Sequence, residues 1–478
     1  MLTTGYREAK VVVAGAGAAG VTAAIASARQ GVDTLLVERF GFLGGMFTGG
    51  NMVVLTTPSV GGIGKEIVDV LMAQGAARRC PDDPSNYPIF HYRGERCTLT
   101  IAYDAEAAKL LLFKMVREAG VKLLLHSFIT GAVVEQGVVR GITVANKSGA
   151  QIVRGEVIVD ATSDGDVAAS AGAPFRKGQT EQGVLFAMTL LVRLSHVEWP
   201  KVSEYSKTDP GLEQAITRGI AAGELPYYKP RTREMVNYWG HPAPELSHGV
   251  REDEAIMWGG TVEGVDGTNV DDLTRAEMGA REQFVSELSF LKKHIPGFEH
   301  AHIESSGVTI GVRDTRHIIG EYTLLGKDIL DRRRFEDGVA YNVKGGFPLN
   351  EIPYRCLVPK DVDGLLVAGN CISVMPGSTF MGLQLGSYNN MKDIPSMWTT
   401  GEAAGTAAAL CAKGGLQPRT LDPKTIQEIL FERGALVSPE RIADLERVKL
   451  PSGRTVKEFY EGALADCRAY WRGRGEQV

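Results

Sequence analysis

Three stretches of this chain carry residue types at spacings suited to chemistry. The first is Gly15-Ala16-Gly17-Ala18-Ala19-Gly20, a G-x-G-x-x-G run directly after the apolar Val11-Val12-Val13-Ala14. Glycine permits a tight turn at Gly15, lets a pyrophosphate approach bare backbone at Gly17, and allows close helix-on-strand packing at Gly20. The second is Asp160-Ala161-Thr162-Ser163-Asp164-Gly165-Asp166, following Val157-Ile158-Val159. Asp164 and Asp166 could share a metal, but no third ligand stands nearby. Turn and helix-capping duty suits them better, and no metal site is expected. The third is Arg313-Asp314-Thr315-Arg316-His317. Two arginines and a histidine in five residues could clamp a carboxylate and assist proton transfer. Equally, Arg313 and Arg316 could hold an interface through Asp314 and Glu321.

These residues need elements to place them. Val11 to Ala14 reads as a short strand, Val21 to Ala28 as a small-residue helix ended by Gly31, and Thr34 to Val37 as a second strand closing on Glu38. This βαβ unit offers a helix N-terminus to phosphates. A carboxylate at Glu38 can accept both ribose hydroxyls of adenosine and argues against a 2′-phosphate. The unit implies dinucleotide binding; a glycine-rich βαβ turn with no ligand is the alternative. Arg39 to Gly50 then holds Gly41, Gly44, Gly45, Gly49 and Gly50, which suggests backbone wrapping a ligand longer than adenosine needs. A helix is expected over Asp104–Gly120, a strand over Val121–Leu125, and a β-meander over Gly131–Ala145 and Ala150–Val159. Met188–Leu194 is strand-like. Val270–Leu291 is an amphipathic helix with Leu273, Met278, Phe284, Val285 and Leu288 as core positions.

On these residues the chain resembles the FAD-dependent oxidoreductases of the glutathione-reductase-like superfamily. Gly44, Gly45 and Thr48 match a glycine pair that lies along pyrophosphate and flavin there. Asp160 to Asp166 resembles the "DATGDGD" signature of one such family, with Ser163 in place of a glycine. Gly311 to Tyr322 resembles its "GvReTRrivGeyxL" stretch, and Tyr354-Arg355 also matches a family stretch, where a structural role is equally open. Gly364 to Asn370 matches a strand that meets the ribityl chain. The resemblance implies FAD held non-covalently, since no His or Cys stands in residues 39–50. It implies cofactor contacts at Gly15, Gly17, Ala18, Ala19, Gly20, Glu38, Arg39, Gly44, Gly45, Thr48, Phe128, Ile129, Ala161, Thr162, Asp164, Gly369, Asn370 and Thr399. For Phe128 and Ile129, plain β packing is the alternative. Thr399 would open a small-residue helix to Cys411 whose N-terminus faces the flavin. Arg313, His317 and Tyr354 are the catalytic candidates.

The expected fold class is α/β: a Rossmann-like FAD-binding domain, an inserted α+β substrate domain and a helical C-terminal tail. The division expected is 1–175 and 341–415 for the FAD-binding domain, 176–340 for the substrate domain and 416–478 for the tail. Hydride transfer between a small organic substrate and flavin N5 is the implied reaction. A non-redox isomerase or hydratase using reduced FAD is the alternative. Relatives usually carry an arginine where Asn370 stands and a histidine in the loop that follows; 374–396 has none.

The bulk properties narrow the partners. The 478 residues include 57 glycines, and the net charge is −5. Arg332-Arg333-Arg334 is too short and too closely flanked by acids to be a nucleic-acid footprint. The apolar runs are too short to cross a membrane, and the N-terminus has no signal-peptide layout. Six scattered cysteines without C-x-x-C fit reduced thiols in a cytoplasm. The tail could serve packing or a homo-oligomer contact.

Overall fold

The computed structural model describes residues 5–51, 54–55, 61–79, 91–92, 95–96, 101–178, 185, 187–209, 212–227, 245–344, 347–375 and 392–436, with parts of 439–465. Strand β1 (Gly5–Ala14) turns at Gly15 into helix α1 (Ala18–Arg29), and the chain returns as β2 (Thr34–Val37). Short α2 (Met46–Gly49) and α3 (Gly62–Ala73) follow. Asp104 caps α4 (Ala105–Glu118) by accepting the amides of Glu106 and Ala107, which halts the preceding strand and starts the helix. Next come β3 (Lys122–Leu124) and the meander of β4 (Phe128–Glu135), β5 (Val138–Asn146) and β6 (Gly149–Asp160), then α5 (Asp166–Ser170).

The parallel pairing decides the architecture. β1 pairs with β2 and β6, β2 pairs with β3, and the end of β6 pairs with β13 (Leu365–Val367). The register sets Ala14 beside Val37 and Asp160, Val37 beside Leu124, and Asp160 beside Val367. Five strands therefore end at one level. The meander bonds only the first half of β6, antiparallel from Gly141–Arg154 to Asn146–Gly149, and leaves the C-terminal half for β13.

Helix α7 (Ile394–Gly414) lies against α1 with backbones nearly touching. A Cβ on Gly401 would stand 2.1 Å from the Ala19 carbonyl, and one on Gly405 2.0 Å from that of Ala23. Only glycine permits this approach. The helix starts at Ile394, five residues before the expected Thr399, with Pro395 tolerated in its first turn. In the tail, α8 (Pro423–Glu432) buries Ile426 and Leu430 in the same core.

The middle of the chain forms an antiparallel sheet in the order β8 (Glu245–His248), β9 (Ala255–Val262), β7 (Met188–Ser195), β10 (His302–Ser306), covered by α6 (Val270–His294). Leu190, Val192 and Leu194 face α6 and form a second core with Phe284 and Phe290. Leu191 and Ile256 point the other way and join the first core. The α/β class with an inserted α+β unit and a helical C-terminal region is thus observed. One expectation changes. Met278 and Val285 are 61% and 72% exposed, while Gln283 and Glu287 are buried. Those two polar side chains bond backbone at Thr261 and Gly260, where the irregular edge of β9 leaves amides to be satisfied. The buried face thus combines Ala276, Ala280, Phe284 and Leu291 with these two polar side chains.

Glu402 of α7 is buried and accepts the Ile63 amide at 2.9 Å, satisfying a donor at the buried start of α3 that has no partner within its helix. Burial pushes its carboxyl up to about 7, against the lowering effect of that bond. The folded state then holds a proton that the unfolded chain releases near pH 4.5. Stability should fall as pH rises through that window, by up to about 3 kcal/mol. Glu402→Gln keeps the acceptor without the ionisation. Urea midpoints at pH 5 and pH 8 should differ less in this variant than in the parent; an unchanged difference would refute the assignment.

Candidate functional site

The level strand ends open into one cleft of about 1580 Å³, open mouth included. At its centre the chain leaves β1 through Gly15, whose φ is +93°, and enters α1 at Gly17. A Cβ on Gly20 would stand 1.8 Å from the Gly15 carbonyl, so the turn folds tightly over the helix start. A Cβ on Gly17 would meet no atom within 4 Å among the described residues: the space before the helix is open. No side chain caps α1, and no acid stands in its first turn. Its free amides and positive dipole end therefore face the cleft, a site suited to phosphate.

Gly44 and Gly45 close over this turn. The Gly44 amide donates to the Ala16 carbonyl at 2.8 Å, and a Cβ on Gly45 would stand 2.9 Å from the Gly17 Cα. Both adopt positive φ, +101° and +54°. Glu38 accepts the Ala16 amide at 2.7 Å and the Phe40 amide at 2.9 Å. Its burial raises the carboxyl's pKa, while these two amides oppose the rise. Beside it, Arg39, Phe128 and Ile129 line the same end, with Phe128 54% exposed. Phe40 and Ser127 join them there.

The Asp160 turn forms the far rim. Asp160 is fully buried and accepts the Thr162 amide, the Thr162 hydroxyl and the Ala168 amide at 2.7–3.0 Å. Capping of α5 thus falls to Asp160. Ala161, Thr162, Ser163 and Asp166 line the cleft; Asp164 does not. Asp164 accepts the Thr315 hydroxyl at 2.6 Å, and burial, with repulsion from Asp166, pushes its carboxyl up to about 7. Arg316 donates to the Asp164 carbonyl and to Asp166, tying the turn to the segment after the inserted sheet. Asn370 lines the cleft at the end of β13. Its Nδ2 donates to the Arg313 carbonyl at 3.0 Å, while its Oδ1 meets no donor among the described residues.

Several expected residues support the cleft without reaching it. Ala19 and Gly369 pack near the α1–α7 junction, and Gly20 packs against the Gly15 turn and Ala161. Thr48 is buried in α2 and donates to the Leu43 carbonyl. Thr399 sits inside α7 and donates to the Tyr341 carbonyl at 2.7 Å; Lys392, Asp393, Ile394 and Pro395 line the cleft instead. Of the catalytic candidates, Arg313 alone lines it, with Nη1 donating to the Ala187 carbonyl at 3.0 Å. His317 is 2% exposed and its Nε2 is bonded to Asp314 at 2.8 Å. Tyr354 is 3% exposed, donates to the Pro418 carbonyl at 2.9 Å, and burial holds its phenol well above the usual range. Both are built into the interior. Of loop 374–396, only 374–375 and 392–396 fall within the described residues.

Sequence reasoning missed Thr189, Leu191, Trp258 and Thr309, which line the cleft from the inserted domain. Alternation on the strand at 188–194 marked two faces there, but nothing local told which one meets the cofactor domain. Among the described residues, no group of three His, Cys, Asp or Glu side chains could hold a metal ion. None of the helices described is long and apolar enough to cross a membrane.

A family model described as FAD-dependent oxidoreductase matches residues 10–430. The chain belongs to that family. It is therefore an FAD-binding flavoenzyme, and the open glycine turn, the uncapped helix start and the Asn370 oxygen fit that cofactor. No curated protein matches the chain significantly. Among solved structures it is similar to a geranylgeranyl bacteriochlorophyll reductase-like protein from Thermoplasma acidophilum, at 13% identity and TM-score 0.46 over 92% of this chain and 91% of that one. It is also similar to p-nitrophenol 4-monooxygenase from Pseudomonas putida, at 13% identity and TM-score 0.46 over 97% and 98%. A flavin-dependent brominase gives 12% identity and TM-score 0.46 over 89% and 83%. At those scores none bears on chemistry, and the assignment rests on the family match.

Ser163 adopts φ +74°, the left-handed region where a side chain is strained, at the position expected to hold glycine. Ser163→Gly should stabilise the fold by about 0.5–1 kcal/mol, strain relief outweighing glycine's larger unfolded-state entropy. The urea midpoint should rise; a fall would show that the serine side chain holds the turn.

Proposed function

We propose that this flavoenzyme transfers a hydride between a small organic substrate and N5 of non-covalently bound FAD. The observation that carries the reading is the cleft itself, one groove running from Glu38 past the open Gly17 turn to Arg313. When bound, FAD would supply a two-electron acceptor for a hydride from a substrate carbon, and the open mouth of the cleft would let the accompanying proton pass to solvent. The chain supplies position and electrostatics. The α1 amides, with Gly15, Gly17, Ala18, Gly44 and Gly45, would hold the pyrophosphate. Glu38 would accept ribose hydroxyls with the lone pairs left by Ala16 and Phe40, and Arg39, Phe128 and Ile129 would border adenine. Ala161, Thr162 and Asn370 would meet the ribityl chain. The start of α7, with Lys392 and Asp393, would border the flavin end. None of the described lining residues is His, Cys or Tyr, in keeping with a non-covalent link.

Three glycine-rich segments in order at Gly15, Asp160 and Gly364 support a place in the glutathione-reductase-like superfamily. In the proposed division of 1–175 with 341–415, 176–340 and 416–478, a separate core supports the inserted unit, while Ile318, Leu324 and the tail residues Ile426 and Leu430 pack in the first core. Within this reading Arg313 is the substrate-facing group, and His317 and Tyr354 hold the interior that positions it.

Purified protein should be yellow and should release FAD intact on denaturation. Gly17→Val puts a side chain into open space, so folding should persist while FAD affinity falls about 100-fold or more. Equal FAD binding in this variant would refute the placement. A substrate that bleaches the flavin anaerobically without added reductant supports hydride transfer. Turnover only after prior reduction, with no net redox change, would replace it by non-redox chemistry.

A further inference from the structure

The inserted sheet presents an organised wall to the cleft. Leu191 of β7 and Trp258 of β9 are direct cross-strand partners and therefore lie on one face. Thr189, two residues before Leu191, shares that face. Gly311 pairs with Thr189 through two backbone bonds of 2.7 and 3.2 Å, which lays residues 309–313 alongside as a further strand-like edge. Thr309 and Arg313 thereby line the same wall. The opposite face of β7 is committed to α6, so this wall is left for the cleft.

The chemistry of the wall is selective. Its charged lining residue is Arg313, held at the cleft by its bond to the Ala187 carbonyl. Among the described residues no carboxylate belongs to the wall itself; Glu38, Asp166 and Asp393 line other parts of the cleft. Glu38 is committed to two backbone amides, and Asp166 is paired with Arg316 at 2.8 Å. An amine would therefore find no partner on this wall. A sugar would find two threonine hydroxyls against a leucine and an indole.

We infer that the substrate is a flat aromatic or conjugated molecule bearing a carboxylate or comparable anionic oxygen, with its ring on Trp258 and its anionic end toward Arg313. This rests on the flavoenzyme reading, since it takes the same cleft to hold the flavin. The indole is a stacking and specificity-determining surface for that ring.

The test titrates the yellow holoenzyme with trans-cinnamate, benzylamine and glucose and follows the visible flavin band. Cinnamate should shift it saturably, and the other two should not. Trp258→Ala should weaken cinnamate by about tenfold or more, and Trp258→Phe by no more than about threefold. The flavin spectrum of each variant reports that it has folded. Unchanged cinnamate binding in Trp258→Ala, or benzylamine or glucose binding as tightly, overturns the inference. A colourless protein would instead overturn the cofactor reading. Cinnamate quenching of tryptophan emission, present in the parent and lost in Trp258→Phe, would then still support the ring platform, and its absence would overturn it.

Discussion

Register among parallel strands is the constraint on which the rest of this molecule depends. Ala14, Val37, Leu124, Asp160 and Val367 end five strands at one level. The ends of β1, β2, β6 and β13 are buried on both faces, so a slip of one residue in any pair among them would exchange the two packed faces and move a loop away from the cleft. The residues after those ends, Gly15, Glu38, Ser127, Ala161 and Asn370, come from positions scattered over more than 350 residues. They meet because the hydrogen-bond ladder permits no other alignment of the apolar runs.

Close backbone contact is the second constraint, and it explains where glycine is required. The turn at Gly15 folds over Gly20, the Gly44-Gly45 segment lies on Gly17, and α7 lies on α1 at Gly401 and Gly405. In each case a Cβ would meet a backbone atom at under 3 Å. Gly17 differs at its own Cβ position: what it keeps clear is space for a ligand. Glycine at the first group of positions lets the protein touch itself, and Gly17 leaves the cleft open before α1.

Electrostatic placement follows the same economy. Buried carboxylates at Glu38, Asp160 and Glu402 each accept backbone amides that the turns leave unpaired. Burial raises all three, and the amides counter it. Their main service is to hold loops and helix starts in place. The two helix N-termini at Gly17 and Asp393 lack such side-chain caps, and both border the cleft. By contrast, the starts of α3, α4 and α6 have amides bonded by Glu402, Asp104 and Asn269.

The cofactor half was legible in the sequence because its signals are local. A strand, a glycine turn, a helix and an acid occur within about thirty residues, and each fixes a backbone conformation by steric rules alone. The substrate half was not legible. Met278 and Val285 looked like core on period and proved exposed, because Gln283 and Glu287 had backbone to satisfy across the interface. His317 and Tyr354 looked reactive by type and proved buried in structural bonds. Trp258 and Leu191 carried no local mark, and only sheet pairing and the packing of one face on α6 turned the other toward the cleft. Side-chain type and short spacing determine what a residue can do; which partner it meets is set by long-range register and by which face finds a cover first.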